Sequence, residues 1–237
     1  MKSKNVTYEE WGIESKTVVF IPMAHLANPD FYNSVKNLVK KKKEEGFIVY
    51  YELTRMNEID DTSKQKLLKK SYIKYYRGHD HIDSISQMIY KKKMAKFLGF
   101  FPDSNVYRRL IPDKGFFKGM ISQPNYKQLG LDDFDKHADV RINKLIDKYE
   151  ELFGEIMLEE KDFNISLNST YPKSYRLPKD KVRKILFDYR NEYLARFIQN
   201  SPDKKILVIF GLAHMKDTFK ELRFLDKKWR MRGSYAQ

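Results

Sequence analysis

The chain alternates short apolar runs with longer, lysine-rich stretches in which apolar residues recur every three or four positions. The run Ile206 to Phe210, inside KILVIFGLAH, is rich in β-branched residues and is bounded by Lys205 and Gly211. That length and composition predict a buried strand rather than a helix. TVVFIPMAH, near the amino terminus, repeats the pattern. Val18-Val19-Phe20-Ile21 aligns with Leu207-Val208-Ile209-Phe210, and each run is followed by two residues and then Ala-His, ending at His25 and His214. A third run, FIVYYE, ends in Glu52.

Between the first and third runs, LANPDFYNSVKNLVKKKKEEG predicts a helix. Asn28 is its candidate N-cap, Pro29 suits the first turn, Phe31, Val35, Leu38 and Val39 form its apolar stripe, and Gly46 ends it. The resulting strand–helix–strand unit predicts parallel strands with a right-handed crossover. Polar-basic helical segments are expected near 63–76 and 84–98. Residues 100–130 carry turn signals, with Phe100, Phe101, Tyr107, Phe116, Phe117 and Tyr126 either packed under long loops or walling a ligand pocket. RINKLIDKYEELFG predicts an amphipathic helix ending at Gly154. A long helix following Pro178, from Lys179 to Asn200, is expected to bury Val182, Ile185, Leu186, Tyr189, Tyr193, Leu194, Phe197 and Ile198, with Arg190 bordering that stripe. A last helix, MKDTFKELRFL, follows a GLAH turn.

The length, 237 residues without a Pro/Gly/Ser-rich linker, fits one α/β domain spanning 1–237, with a helical and loop insertion at roughly 56–178. The net charge of +14 raises nucleic acid as a partner, but the lysines fall in runs such as YKKKMAK that read as solvated helix faces, and no nucleic-acid motif accompanies them. No nucleic-acid partner is therefore expected. Cysteine is absent, which excludes disulfides and thiolate ligands. The amino-terminal residues lack an apolar signal-like core, and no run of about 18 apolar residues occurs. A cytoplasmic protein with no membrane span is the expectation.

In open α/β sheets ligands bind beyond the carboxyl ends of the strands. His25, Glu52 and His214 are all aimed at that edge. One such residue is usually a packing or solvated group; three at three strand ends point to a site. Arg190 has two readings, a surface arginine with its stem on the core and a cation aimed at that site. His79 and His81 have a spacing able to hold a metal from a strand, but Gly78, Asp80 and Asp83 around them favour an exposed turn.

Taken together these residues resemble the TraB/PrgY/TIKI family, which shares the fold of the ChaN haem-binding lipoproteins and of erythromycin esterase (EreA). The matching positions are Pro22-Met-Ala-His25, Glu52, Arg190-Asn191 and Gly211-Leu-Ala-His214, with Asp139 in HADV as a further acidic position. Order and separation match from about residue 17 to 225. The resemblance implies a mixed, largely parallel central sheet flanked by helices. Pro22 departs from the pattern, standing where the family has Gly; proline fixes φ and offers no N–H.

The TIKI branch resembles metal-dependent proteases, which implies a divalent ion, Mn or Co before Zn, held by His25, Glu52 and His214. Two imidazoles and one carboxylate without thiolate suit such an ion, which would activate water for hydrolysis of a peptide or small amide or ester. His25, Glu52, Arg190 and His214 are the candidate catalytic groups, with Glu52 as ligand or general base and Arg190 stabilising an oxyanion or gripping a carboxylate. Arg190, Asn191 and Tyr126 are the candidate substrate contacts. Two other readings stay open: a non-catalytic binder of a peptide pheromone or haem, as in TraB, PrgY and ChaN, and a metal-free hydrolase using His–Glu pairing, as in erythromycin esterase.

Overall fold

A computed structural model describes residues 6–53, 82–100, 111, 113–166 and 170–236. The helix expected at 63–76, and His79, His81, Phe101 and Tyr107, lie outside the described residues. In chain order the elements are β1 (Thr7–Ile13), β2 (Lys16–Met23), β3 (Leu26–Ala27), α1 (Pro29–Glu44), β4 (Ile48–Tyr51), α2 (Ile82–Leu98), β5 (Ile121–Ser122), β6 (Lys136–His137), α3 (Ile142–Phe153), α4 (Glu160–Asn164), α5 (Lys179–Arg183), a π-helical segment (Lys184–Tyr189), α6 (Arg190–Asn200), β7 (Lys205–Gly211), α7 (Leu212–Leu225) and β8 (Arg230–Ala236). They form two compact units, one drawn from 1–53, 107–139 and 187–237, the other from 54–106 and 140–186.

The first unit is α/β, built on a mixed six-stranded sheet in the order β6-β4-β7-β2-β1-β8. The pairs β6–β4, β4–β7 and β7–β2 are parallel; β2–β1 and β1–β8 are antiparallel. The three apolar runs read from the sequence are β2, β4 and β7. Their apolar character is continuous because both sheet faces are covered. Val19, Ile21, Leu207 and Ile209 face the α1 side with Phe31, Val35, Leu38 and Val39. Val18, Phe20, Ile206, Val208 and Phe210 face the other side with Trp11, Leu194, Ile198, Leu222 and Trp229.

Helix α1 follows from its ends. The Asn28 side chain accepts the Asp30 N–H at 2.9 Å, and Pro29 opens the helix. At the other end Gly46 takes φ +85°, its N–H donating to Lys43 O and the Phe47 N–H to Lys42 O. This is the Schellman closure, and it turns the chain directly into β4. Pro22 is accommodated because β1 pairs with β2 only as far as Phe20, so at position 22 a single neighbour, Phe210 of β7, remains.

The antiparallel strands β1 and β8 were not read from the sequence. β8, RMRGSYA, is exposed at nearly every position and carries no alternating apolar signal. Lys16, at the start of β2, is buried and donates to the carbonyls of Ile198, Gln199 and Ser201 at 2.6, 3.1 and 2.7 Å, capping the carboxyl end of α6.

The helix expected from Lys179 to Asn200 differs from its sequence pattern. It is interrupted by the π-helical segment Lys184–Tyr189. Each extra residue in a turn rotates everything after it by about 100°. Tyr193 is consequently exposed, while Arg190 and Asn191 are buried in line with Leu194, Ala195 and Ile198. Arg190 is thus inside the stripe, not at its border. His214 also differs: α7 begins at Leu212, so His214 lies in the first helical turn rather than in a preceding turn.

In the second unit α2 carries three buried lysines. Lys93 pairs with Glu150 of α3, Lys96 with Asp162 of α4 at 2.8 Å, and Lys92 donates to Phe163 O. Among the described residues no helix is long and apolar enough to cross a membrane.

Candidate functional site

The four parallel strands end side by side, and each delivers one ionisable residue just beyond its carboxyl end. In sheet order these are Asp139 after β6, Glu52 after β4, His214 after β7 and His25 after β2. Parallel pairing puts all four ends on one edge, which is why residues far apart in sequence meet. Arg190, at the start of α6, reaches into the group.

Arg190 is the centre. Its Nε donates to Asp139 Oδ1 at 2.9 Å and its Nη2 to Asp139 Oδ2 at 2.8 Å, a bidentate pair. Nη2 also reaches Glu52 Oε1 at 2.6 Å, and Nη1 stands 3.2 Å from His214 Nε2. Asp139, His214 and Arg190 are all buried. Phe210 lies 5.8 Å from the guanidinium, and Phe187 stacks on the His214 ring at 5.3 Å, so the cluster has apolar walls.

Glu52 is held at both oxygens. Oε2 accepts the Gly211 N–H at 2.6 Å. A Cβ at position 211 would lie 3.2 Å from that same oxygen, so glycine there permits the close approach. Burial alone would raise the Glu52 pKa, but the Arg190 charge, His214 and the hydrogen bonds from Arg190 and Gly211 bring it down to about 2. Glu52 is therefore a carboxylate at any working pH. Arg190 loses solvation but is held charged by Glu52 and Asp139.

His214 is pulled down to about 4 by burial and by the neighbouring Arg190 charge, with Glu52 opposing. It is a neutral imidazole near pH 7. His25 is exposed at the lip of the site; lost solvation and the Arg190 charge lower its pKa, against the pull of Glu52. The turn that carries it is fixed by two hydrogen bonds, Tyr32 Oη to Ala24 O at 2.8 Å and Gln123 N–H to His25 O at 2.9 Å.

His25, Glu52, Arg190 and His214 thus share one strand edge. Asn191 lies behind His214, its Oδ1 2.6 Å from His214 Nδ1. The Tyr126 hydroxyl donates to the Glu52 carbonyl oxygen and its ring lies 4.7 Å from Tyr51, so its polar atom is engaged by backbone. Asp139 enters the site through the resemblance alone, because a two-residue strand such as β6 has no sequence signal of its own.

The three candidate metal ligands do not fit a divalent ion as arranged. A guanidinium stands among them. Glu52 Oε1 and His214 Nε2 are 4.0 Å apart, whereas neighbouring ligands at about 2.0–2.2 Å from one ion stand roughly 3.0–3.4 Å apart. No protein-family model matches the chain, and no curated protein or solved structure matches it.

Proposed function

We propose that the protein is a hydrolase of a peptide or a small amide or ester, working through His25 and Glu52 without a resident metal ion. The observation that carries this reading is an exposed histidine, neutral near pH 7, that feels the charge of an ionised carboxylate at the edge where four parallel strands end. His25 takes a proton from an attacking water as general base. Glu52 stabilises the imidazolium that forms through its negative charge. Arg190, itself gripped by Asp139, and the Gly211 N–H keep Glu52 charged and placed. The ordered set of residues resembles the TraB/PrgY/TIKI pattern, and the erythromycin esterase-like version of the fold belongs to the same proposal.

The test is a panel of chromogenic esters, anilides and short peptides incubated with the purified protein in excess chelator. Turnover should rise with pH as His25 loses its proton, below the ordinary imidazole value of about 6.5. His25→Ala should lower it by roughly 10²–10⁴, and Glu52→Gln by a similar factor. Turnover indifferent to His25→Ala, or abolished by chelator, or absent across the panel, refutes the proposal.

A further inference from the structure

We infer that the guanidinium of Arg190 is the resident cation of this site, standing where a divalent ion would otherwise bind, so that removing it turns the cluster into a metal site. The inference is independent of the hydrolase reading.

The acceptors all face one cation. Both Asp139 oxygens, Glu52 Oε1 and His214 Nε2 surround the guanidinium at 2.6 to 3.2 Å. Two carboxylates and an imidazole are donors that borderline divalent ions take. Asp139 and Glu52 each bring one negative charge to the guanidinium, and two carboxylates match the charge of a divalent ion.

The His214 lone pair is fixed in the direction such an ion needs. With Nδ1–H donating to Asn191 Oδ1 at 2.6 Å, Nε2 is free to accept from Arg190. The other tautomer would set an Nε2–H against an arginine N–H, two donors facing each other. Thr218 Oγ1 donates to the same Asn191 oxygen at 3.5 Å, steadying it. A ring whose far N–H is held by a side-chain oxygen is how proteins orient a metal-binding histidine. Glu52 is equally oriented, by Gly211. The 4.0 Å between Glu52 Oε1 and His214 Nε2 needs to close by less than about 1 Å to suit one ion. The arginine side chain keeps them apart.

Elemental analysis and calorimetric titration with Mn²⁺, Co²⁺ and Zn²⁺ test this on the purified protein without a histidine tag. Wild type should bind no stoichiometric ion at the site. Arg190→Ala should bind about one ion per chain, with a melting temperature that rises with ion concentration, and adding His214→Ala should abolish both. A folded Arg190→Ala protein that takes up no ion overturns the assignment. So does a wild-type protein that binds one ion per chain and loses it on His214→Ala. Where Arg190→Ala does not fold alone, it is refolded with and without Mn²⁺, Co²⁺ or Zn²⁺, and failure of every ion to restore a folded protein bearing about one ion per chain overturns the assignment. None of these readouts uses turnover, so absence of hydrolysis leaves the inference standing, and its failure leaves a base mechanism at His25 to be judged by its own assay.

Discussion

Replacing Arg190 by methionine keeps most of the side-chain volume and removes the charge. Asp139 and Glu52 then lose, in a buried site, the guanidinium with which both of them pair. Removing one member of a buried ionic cluster costs about 3–5 kcal/mol, because the charges left behind lose that pairing and gain no solvation. That is a large share of the roughly 5–15 kcal/mol that holds a domain folded. The pH dependence gives a second, sharper signature. In wild type His214 titrates near about 4 when folded and near 6.5 when unfolded. Its folded value is depressed, so its contribution is complete above pH 6.5 and is lost on acidification toward pH 4, about 1 kcal/mol having gone by pH 5.5. In Arg190→Met the slope flattens. The buried Glu52 carboxyl, freed from the guanidinium, binds its proton more readily folded than unfolded, and the guanidinium's downward pull on His214 is gone, so the variant loses less stability than wild type between pH 7.5 and 5.5. Urea unfolding followed by tryptophan fluorescence reads this directly, because both tryptophans, Trp11 and Trp229, are fully buried in the core of the sheet unit. A loss under about 1 kcal/mol, or a variant that weakens on acidification as much as wild type does, refutes the account of the cluster.

Two further outcomes are expected. In Gly211→Ala the backbone, at φ −52° and ψ 139°, suits alanine, so stability should change by less than about 1 kcal/mol. The new methyl presses on Glu52 Oε2, and turnover should fall about tenfold; unchanged kinetics would show that the Glu52 position is not critical. Lys16→Met removes the donor to three carbonyls at the end of α6 and should cost about 1–3 kcal/mol in the same urea assay, whereas a neutral result would mean that those carbonyls find water.

Much of the sheet unit was legible in the chain. β2, β4 and β7 are uniform apolar runs because each is covered on both faces, and α1 was legible at both ends because Asn28, Pro29 and Gly46 act locally. The convergence of His25, Glu52 and His214 followed from counting strand ends. Other parts left no mark. β8 pairs through backbone at an exposed edge, and β6 is too short to show a period. Tyr189 and Tyr193 fall on the helical period of the buried stripe, yet the π-helical segment that ends at Tyr189 turns Arg190 and Asn191 inward and leaves Tyr193 exposed.

By itself the sequence determined the apolar runs, the ends of α1 and the placing of ionisable residues just past three strands, because these rest on local propensity and on burial that every residue in a run shares. The tertiary structure alone decided that Arg190 stands at the centre of the site with Asp139 and Glu52 around it. That choice depends on the phase of one helix. The phase is set by a π-helical segment whose wider turn is not coded in any local period, and by two carboxylates whose pull on a buried cation exists only once four parallel strands have brought their ends together.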